Sequence, residues 1–118
     1  MQYLMILTEV ESEQVMPGDP GHDTLMAEYR AFTEMVTKLG VMRGGARLRP
    51  TSTATTVRVR DGKVIASDGP FTETKEQFAG FYLLDCQDLD QALELAAKIP
   101  IARKGSVEVR PLWEMPQR

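Results

Sequence analysis

Residues 79–100, AGFYLLDCQDLDQALELAAKIP, place a strand directly before a short amphipathic helix, and this unit decides the fold. The strand Ala79–Cys86 is richly apolar, as is typical of a strand whose two faces are both covered. Asp88 is a predicted N-cap, and Gln91 three residues later completes a capping-box pattern. The helix is predicted to end before Pro100, because proline disfavours helix at the residue preceding it. Its predicted apolar stripe consists of Leu89, Ala92, Leu93, Ala96 and Ile99.

A longer helix is predicted nearer the N-terminus. It begins after an N-cap at Asp23 or Thr24 and ends at Leu39, where Gly40 follows. A short apolar strand, Tyr3–Leu7, and a Pro- and Gly-rich loop precede it. The spacing of its apolar residues alternates between four and three, as on one helical face. These residues are Leu25, Tyr29, Phe32, Val36 and Leu39.

Two glycine-containing pairs lie among the remaining predicted strands. Gly44-Gly45 interrupts one strand and predicts a bulge or a close approach of backbones. Asp61-Gly62 separates two short strands and favours a type I′ hairpin turn. The remaining predicted strands are Val41–Arg49, Thr55–Arg60, Lys63–Ala66 and Val107–Leu112.

The element order is therefore strand, helix, strand, inserted hairpin, strand, helix, strand. Without the hairpin, this is the order of an α+β ferredoxin-like sandwich, with an antiparallel sheet and two helices on one face. The 118 residues suit one domain, residues 1–118. Because Tyr3–Leu7 and the run Phe81–Leu84 are apolar on both faces, the second face of the sheet needs an apolar cover. An identical sheet in a symmetric homodimer is the economical prediction.

Composition and charge exclude several classes of function. A formal net charge of −3 argues against nucleic acid or an anionic membrane as the main partner. The apolar runs are far shorter than the ~20 residues of a membrane span, and no signal-peptide pattern is present. A single cysteine, Cys86, and a single histidine exclude an intramolecular disulfide and a Cys/His zinc site. The sequence thus predicts a cytoplasmic domain without a metal or cofactor, in which Cys86 is a buried, inert thiol.

The most unusual segment is DGPFTETKE, residues 68–76. Asp68-Gly69-Pro70 predicts a tight turn, and Phe71 beside it is predicted to anchor the loop in an apolar socket. From residue types alone, a structural turn in which Asp68 binds nearby backbone amides is favoured over a functional site.

The same segment resembles the signature of DGPF-domain proteins, which are YCII-related proteins of the dimeric α+β barrel superfamily. Leu48-Arg49-Pro50 and the stretch Gly105–Pro111 also resemble that family, and the resemblance extends from Tyr3 to Glu114. It implies a ferredoxin-like protomer whose sheet packs against its partner's sheet, with a cleft near the turn. A small-molecule ligand would then be bound by Asp68, Gly69, Pro70 and Phe71.

The resemblance also implies a catalytic pair. Some YCII relatives are considered enzymes that use a histidine at the start of the first helix with the aspartate of the turn. His22 and Asp68 match these positions. A carboxylate that binds one imidazole nitrogen fixes the tautomer and leaves the other nitrogen as a general base. Against this stands the interpretation of His22 as a solvated loop residue.

Five arginines fall on the second strand and the hairpin, and two interpretations of them stay open. They hold an anionic ligand by bidentate bonds, or they form the solvated face of ordinary strands. These residues are Arg43, Arg47, Arg49, Arg58 and Arg60.

Two functions follow as predictions. The first is a small enzyme or binding protein with a small-molecule cleft near the Asp68 turn. The alternative is a non-catalytic regulatory or interaction module, since DGPF-type domains resemble partners found beside transcription sigma factors.

Overall fold

A computed structural model describes residues 1–71 and 74–114, in which six strands, two α-helices and three short 3-10 helices alternate along the chain. The strands are β1 (Gln2–Val10), β2 (Met42–Arg47), β3 (Thr55–Arg60), β4 (Lys63–Asp68), β5 (Glu76–Asp85) and β6 (Ser106–Pro111). The α-helices are α1 (His22–Lys38) and α2 (Leu89–Ala96). The 3-10 helices are Glu11–Glu13, Thr51–Thr53 and Pro100–Arg103.

Four strands form one antiparallel sheet in the order β2-β5-β1-β6, and β3 and β4 form a separate hairpin. The hairpin is inserted between β2 and β5, as the sequence predicts. Without it, strand order and direction are compatible with the predicted ferredoxin-like sandwich. Among the described residues, neither α-helix is long and apolar enough to cross a bilayer.

The core lies between the two helices and one face of the sheet. Side chains alternate along a strand, so Met5 in β1 and Leu84 in β5 face the helices, and both are fully buried. The helices contribute Phe32, Val36 and Leu95 to the same cluster. Both helices therefore pack on one face, and no helix of the described residues covers the other face of the sheet.

The sequence predicts the C-terminal end of α1 correctly but places its N-cap at the wrong residue. Gly40 has a φ of 75°, the left-handed conformation expected directly after a helix end. The N-cap is Gly21, with a φ of 85°, rather than Asp23 or Thr24, so no capping side chain binds the first turn. Leu39 is exposed, because it lies beyond the last helical turn.

Asp88 caps α2 as predicted, and its Oδ1 accepts a hydrogen bond of 2.8 Å from the Gln91 backbone. The Gln91 side chain reaches back to the backbone N–H of Gln87, one residue before the cap. The predicted stripe is wrong at Leu89 and Leu93, which are about half exposed. The buried face is rotated and consists of Ala92, Leu95, Ala96 and Ile99.

The β3–β4 hairpin stands apart from the sheet. Asp61 and Gly62 both have positive φ, 52° and 74°, which confirms the predicted type I′ turn. The chain measures 49 × 46 × 19 Å, with a radius of gyration of 16.3 Å. A compact chain of this length has a radius of about 13–14 Å, so part of the molecule projects from the core.

The predicted bulge in β2 is also present. The pairing of β2 with β5 shifts between Met42 and Gly44, which moves Gly45 opposite Tyr82. A Cβ on Gly45 would approach the Phe81 carbonyl oxygen to 3.0 Å, so the glycine permits a close approach of the two backbones.

Candidate functional site

A cavity of about 260 Å³ lies between the N-terminal half of α1 and the sheet. Its walls are mostly apolar, and they combine the helix, three strands and the 3-10 helix before β6. It explains why Leu25 and Tyr29, two members of the predicted stripe, are only half-buried: they face the cavity rather than a packed core. The apolar lining includes Leu7, Leu25, Met26, Met42 and Ile101.

Two tyrosines line this cavity. The Tyr82 hydroxyl lies 3.2 Å from the Thr33 hydroxyl, and its ring meets that of Phe32 edge to face, with centroids 5.0 Å apart. Burial raises the pKa of Tyr82, which the hydrogen bond with Thr33 partly offsets. Burial, reinforced by the nearby Glu9 carboxyl, raises the pKa of Tyr29 to about 12. Both tyrosines are therefore neutral hydrogen-bonding groups at physiological pH.

Glu9 is the acidic group of the cavity. Burial raises its pKa, whereas the positive charges of Arg47 and Lys104 act in the opposite direction. Its carboxyl makes no hydrogen bond or ion pair within residues 1–71 and 74–114. Glu9 is thus available to a bound molecule.

Arg47 lines the cavity and is itself exposed. Its Nη2 donates to the Val15 carbonyl at 3.0 Å, and its Nη1 lies 3.6 Å from the Met26 sulfur. Nη1 also lies 3.5 Å from Nε2 of His22. These contacts hold the guanidinium against the loop before α1 and the first turn of the helix.

His22 is the first residue of α1, and its side chain is only 16% exposed, so the interpretation as a solvated loop residue is wrong. A guanidinium only donates, so the tautomer compatible with a hydrogen bond from Arg47 is the one with its ring proton on Nδ1. Nδ1 lies 3.6 Å from the Asp23 carboxylate. Within the described residues, His22 makes no hydrogen bond or ion pair with Asp68.

Asp68 ends β4, opposite Thr55. In the part of the chain that the structure describes, its exposed carboxylate makes no hydrogen bond, contrary to the prediction that it binds backbone amides. The turn is held by Gly69 instead, whose N–H donates to the Ala54 carbonyl at 2.8 Å. The Gly69 carbonyl accepts from the Thr56 hydroxyl, also at 2.8 Å. Gly69 has a φ of 96°, which explains why glycine follows Asp68.

The predicted apolar socket for Phe71 is absent from the described residues. The side chain is 74% exposed, and the Arg58 guanidinium lies 5.1 Å from its ring centroid. Residues 68–71 do not line the cavity under α1. Their predicted ligand-binding role stays a prediction, and Thr72 and Glu73 lie outside the described residues.

The five arginines do not act as one cluster. Arg43 forms an ion pair with Asp85, Arg58 covers Phe71, and Arg47 borders the cavity. Cys86 is buried as predicted, and burial raises the pKa of its thiol. Across residues 1–71 and 74–114, no three His, Cys, Asp or Glu side chains gather as metal ligands.

Sequence reasoning missed two polar groups of the cavity, Tyr29 and Glu9. Tyr29 belongs to a recognisable stripe and was expected in the core, because spacing does not show where a core is hollow. Glu9 has a clearer signal: it lies two residues after Leu7, at a position that faces the helices. A carboxylate at such a position is uncommon unless something binds it.

Two comparisons with known proteins match nearly the whole chain. The family model of the YCII-related domain matches residues 1–116. An uncharacterised protein of Rhizobium meliloti (strain 1021) is 45% identical over 114 residues, which is 95% of this chain and 92% of that protein. The matched region therefore spans the residues of the cavity, the Asp68 turn and the hairpin.

Proposed function

The chain belongs to the YCII-related domain family, and from that premise we propose that it binds a small molecule in the cavity under α1. The observation that carries the proposal is the cavity itself, an apolar space of about 260 Å³ with a few polar groups around it. Concave, mostly apolar pockets with few polar groups are typical of small-molecule sites. Glu9 adds support, because its half-buried carboxyl has no partner among the described residues.

A matched pair of tryptophan substitutions tests this proposal. Leu25→Trp fills the cavity from α1, whereas Leu39→Trp adds the same side chain at an exposed position just past the end of α1. Ligand-observed NMR with ring compounds of about ten non-hydrogen atoms would measure binding. We expect at least one compound to bind the wild type and Leu39→Trp but not Leu25→Trp. Absence of any binder, or equal binding to both variants, contradicts the proposal.

The homodimer is the second part of the proposal. The sheet face opposite the helices carries Leu4 and Ile6 from β1 and Phe81 and Leu83 from β5. Covering such a face with a second copy removes apolar surface from water, and symmetric dimers are the commonest soluble oligomers. Light scattering is expected to give about twice 13.2 kDa. Ile6→Lys is expected to give the monomer mass, whereas Thr37→Lys on the exposed side of α1 keeps the dimer; a wild-type monomer contradicts this part.

We propose that His22 of one chain pairs with the turn aspartate of the other chain in the dimer. Within one chain, His22 contacts Arg47 and Asp23, so the aspartate of a proton-transfer pair would come from the partner's copy of the turn. His22 already lies beside the cavity through its contact with Arg47. A histidine NMR titration tests this pairing: Asp68→Asn shifts the midpoint only if the carboxylate meets the imidazole in the dimer, and an unchanged midpoint contradicts it.

One observation favours the alternative function, an interaction module. Val57, Val59 and Val64 of the hairpin are between 58% and 73% exposed, and they share one face because Val59 pairs with Val64. An isolated two-stranded hairpin is marginally stable, so a partner on this face would stabilise it. Val59→Lys separates the two functions: the interaction module loses its partner, while binding in the cavity stays unchanged.

A further inference from the structure

The cationic group in the cavity lining is the guanidinium of Arg47, whose side chain is exposed. Arg43, Arg103 and Arg110 each form an ion pair with a carboxylate. Arg47 forms none within the described residues, and its three contacts are a carbonyl, a thioether and an imidazole nitrogen. Because a guanidinium stays protonated in proteins, the lining of the cavity holds a full positive charge that pairs with no carboxylate of the described residues.

The surroundings of Arg47 add to this positive potential. The first turn of the 17-residue helix α1 lies against it through His22 and Met26. The positive end of the helix dipole is not met by a capping side chain, since the N-cap is Gly21. The side chain of Asp23, the acidic residue of the first turn, is fully exposed to solvent.

Glu9 is the acidic group of the same lining. It interacts electrostatically with Arg47 but forms no ion pair with it among the described residues. The Tyr29 hydroxyl is a neutral group, because burial raises its pKa to about 12. A carboxylate that reaches Arg47 therefore meets a guanidinium that no carboxylate of the described chain contacts.

The size of the cavity limits the ligand. A cavity of about 150 Å³ holds benzene, so about 260 Å³ accommodates one ring with a short substituent. The walls around that ring are Leu7, Leu25, Met42 and Ile101, which offer no polar atoms from their side chains. The ligand thus has an apolar body and a polar group at one end.

We propose that this cavity takes a small monocarboxylic acid with a single-ring or similarly compact apolar body, whose carboxylate binds Arg47. This inference rests on the proposed small-molecule function. A carboxylate matches the fork of a guanidinium in two parallel hydrogen bonds. A phosphate dianion needs more donors than one arginine in an apolar wall supplies. The hydroxyl of Tyr29 and the carboxyl of Glu9 then bind polar substituents on the ring.

Three probes of nearly equal shape test the ligand class by calorimetry on the full chain: phenylacetate, phenylacetamide and 2-phenylethylamine. We expect phenylacetate to bind about tenfold or more tightly than the amide, as one charge-assisted pair provides, and the amine to bind weakest. Arg47→Gln is expected to reduce phenylacetate to the affinity of the amide. Arg47→Lys should keep part of the preference for phenylacetate over the amide, because lysine keeps the positive charge but cannot donate two parallel hydrogen bonds as a guanidinium does. Arg60→Gln, at the far end of the hairpin, is the control, and its affinities for the three probes should equal those of the wild type.

The outcomes separate this inference from the function on which it rests. If the amide or the amine binds as tightly as phenylacetate, the carboxylate class is wrong and the small-molecule site stands. If none of the three probes binds at millimolar concentration, both proposals fail for this cavity. If Arg47→Gln still binds the amide but retains the preference for phenylacetate, another group holds the carboxylate and the role of Arg47 is wrong. Amide binding by that variant also shows that it is folded.

Discussion

The four-stranded sheet and the β3–β4 hairpin are both antiparallel, but their side chains have different surroundings. In the sheet, Met5 and Leu84 are completely buried under helices of the same chain. In the hairpin Val64 is 73% exposed, and Phe71, three residues after the hairpin, is 74% exposed. Equally apolar residues therefore lie in a core in one region and on the surface in the other.

This difference shows which part of the fold the chain stabilises by itself. Burial of apolar surface is the main favourable contribution to folding, and here it comes from the sheet and its helices. The hairpin depends on its turn and its backbone pairing. The cavity and the sheet face proposed for the homodimer lie in the first region, and the exposed valine face lies in the second.

The largest expected effect is a difference in the free energy of unfolding between two alanine variants, one in each region. Met5→Ala removes a side chain from the packed core and should lower the free energy of unfolding by about 2–5 kcal/mol. Phe71→Ala removes an exposed ring and its contact with Arg58 and should cost at most about 1 kcal/mol. Chemical denaturation measures both. A cost of about 3–5 kcal/mol for Phe71→Ala would show that another chain buries this ring.

A smaller effect is expected at the hairpin turn. Gly62 has a φ of 74°, a conformation that costs an alanine about 1–2 kcal/mol. Because the hairpin stands apart from the sheet, Gly62→Ala should speed amide exchange in Arg60 and Lys63 while exchange at Leu84 keeps its rate. Asp61→Asn is the control, since asparagine tolerates the positive φ of this position. Faster exchange throughout the sheet would mean that hairpin and sheet unfold together.

The smallest effect is a pH dependence within the cavity. Burial raises the pKa of Glu9 above its ordinary 4.5, so the folded chain holds this proton more tightly than the unfolded chain. The resulting stabilisation is complete below pH 4.5 and is lost as the pH rises through the folded pKa. The melting temperature of Glu9→Gln should therefore rise relative to that of the wild type between about pH 4 and pH 7. Glu34→Gln, on the exposed side of α1, provides the reference; a difference that shrinks with rising pH contradicts the burial of Glu9.

The sequence predicts local features of both regions well. The Asp61-Gly62 turn, the bulge at Gly44 and the Asp88 cap each depend on one or two residues whose backbone preferences are strong. The rotation of α2 was missed because Leu93 and Leu95 are equally apolar. Burial of Leu95 is decided by the position of the sheet, which periodicity in an eight-residue helix does not fix.

The candidate site was predictable only in part. His22 was identified through the family resemblance, and Arg47 was among the arginines considered for an anion. Their contact joins residues 25 positions apart and depends on how α1 crosses β2. Phe71 was assigned to a socket because aromatic residues are usually buried, but the short hairpin places it outside the core. A hollow core leaves no sequence pattern, so the cavity itself required the structure.

The ligand is proposed to bind in the sheet region and not at the Asp68 turn. Amide chemical-shift mapping with phenylacetate on the ¹⁵N-labelled chain distinguishes the two places, because every region is observed in one titration. The amide shifts are expected to concentrate at Leu7, Tyr29, Gly45, Arg47 and Gly80, around the cavity. The amide signals of residues 55–69 are expected to stay unchanged. Shifts centred on Asp68, Gly69 and Phe71, with the signals of the cavity residues unchanged, would place the ligand at the turn instead.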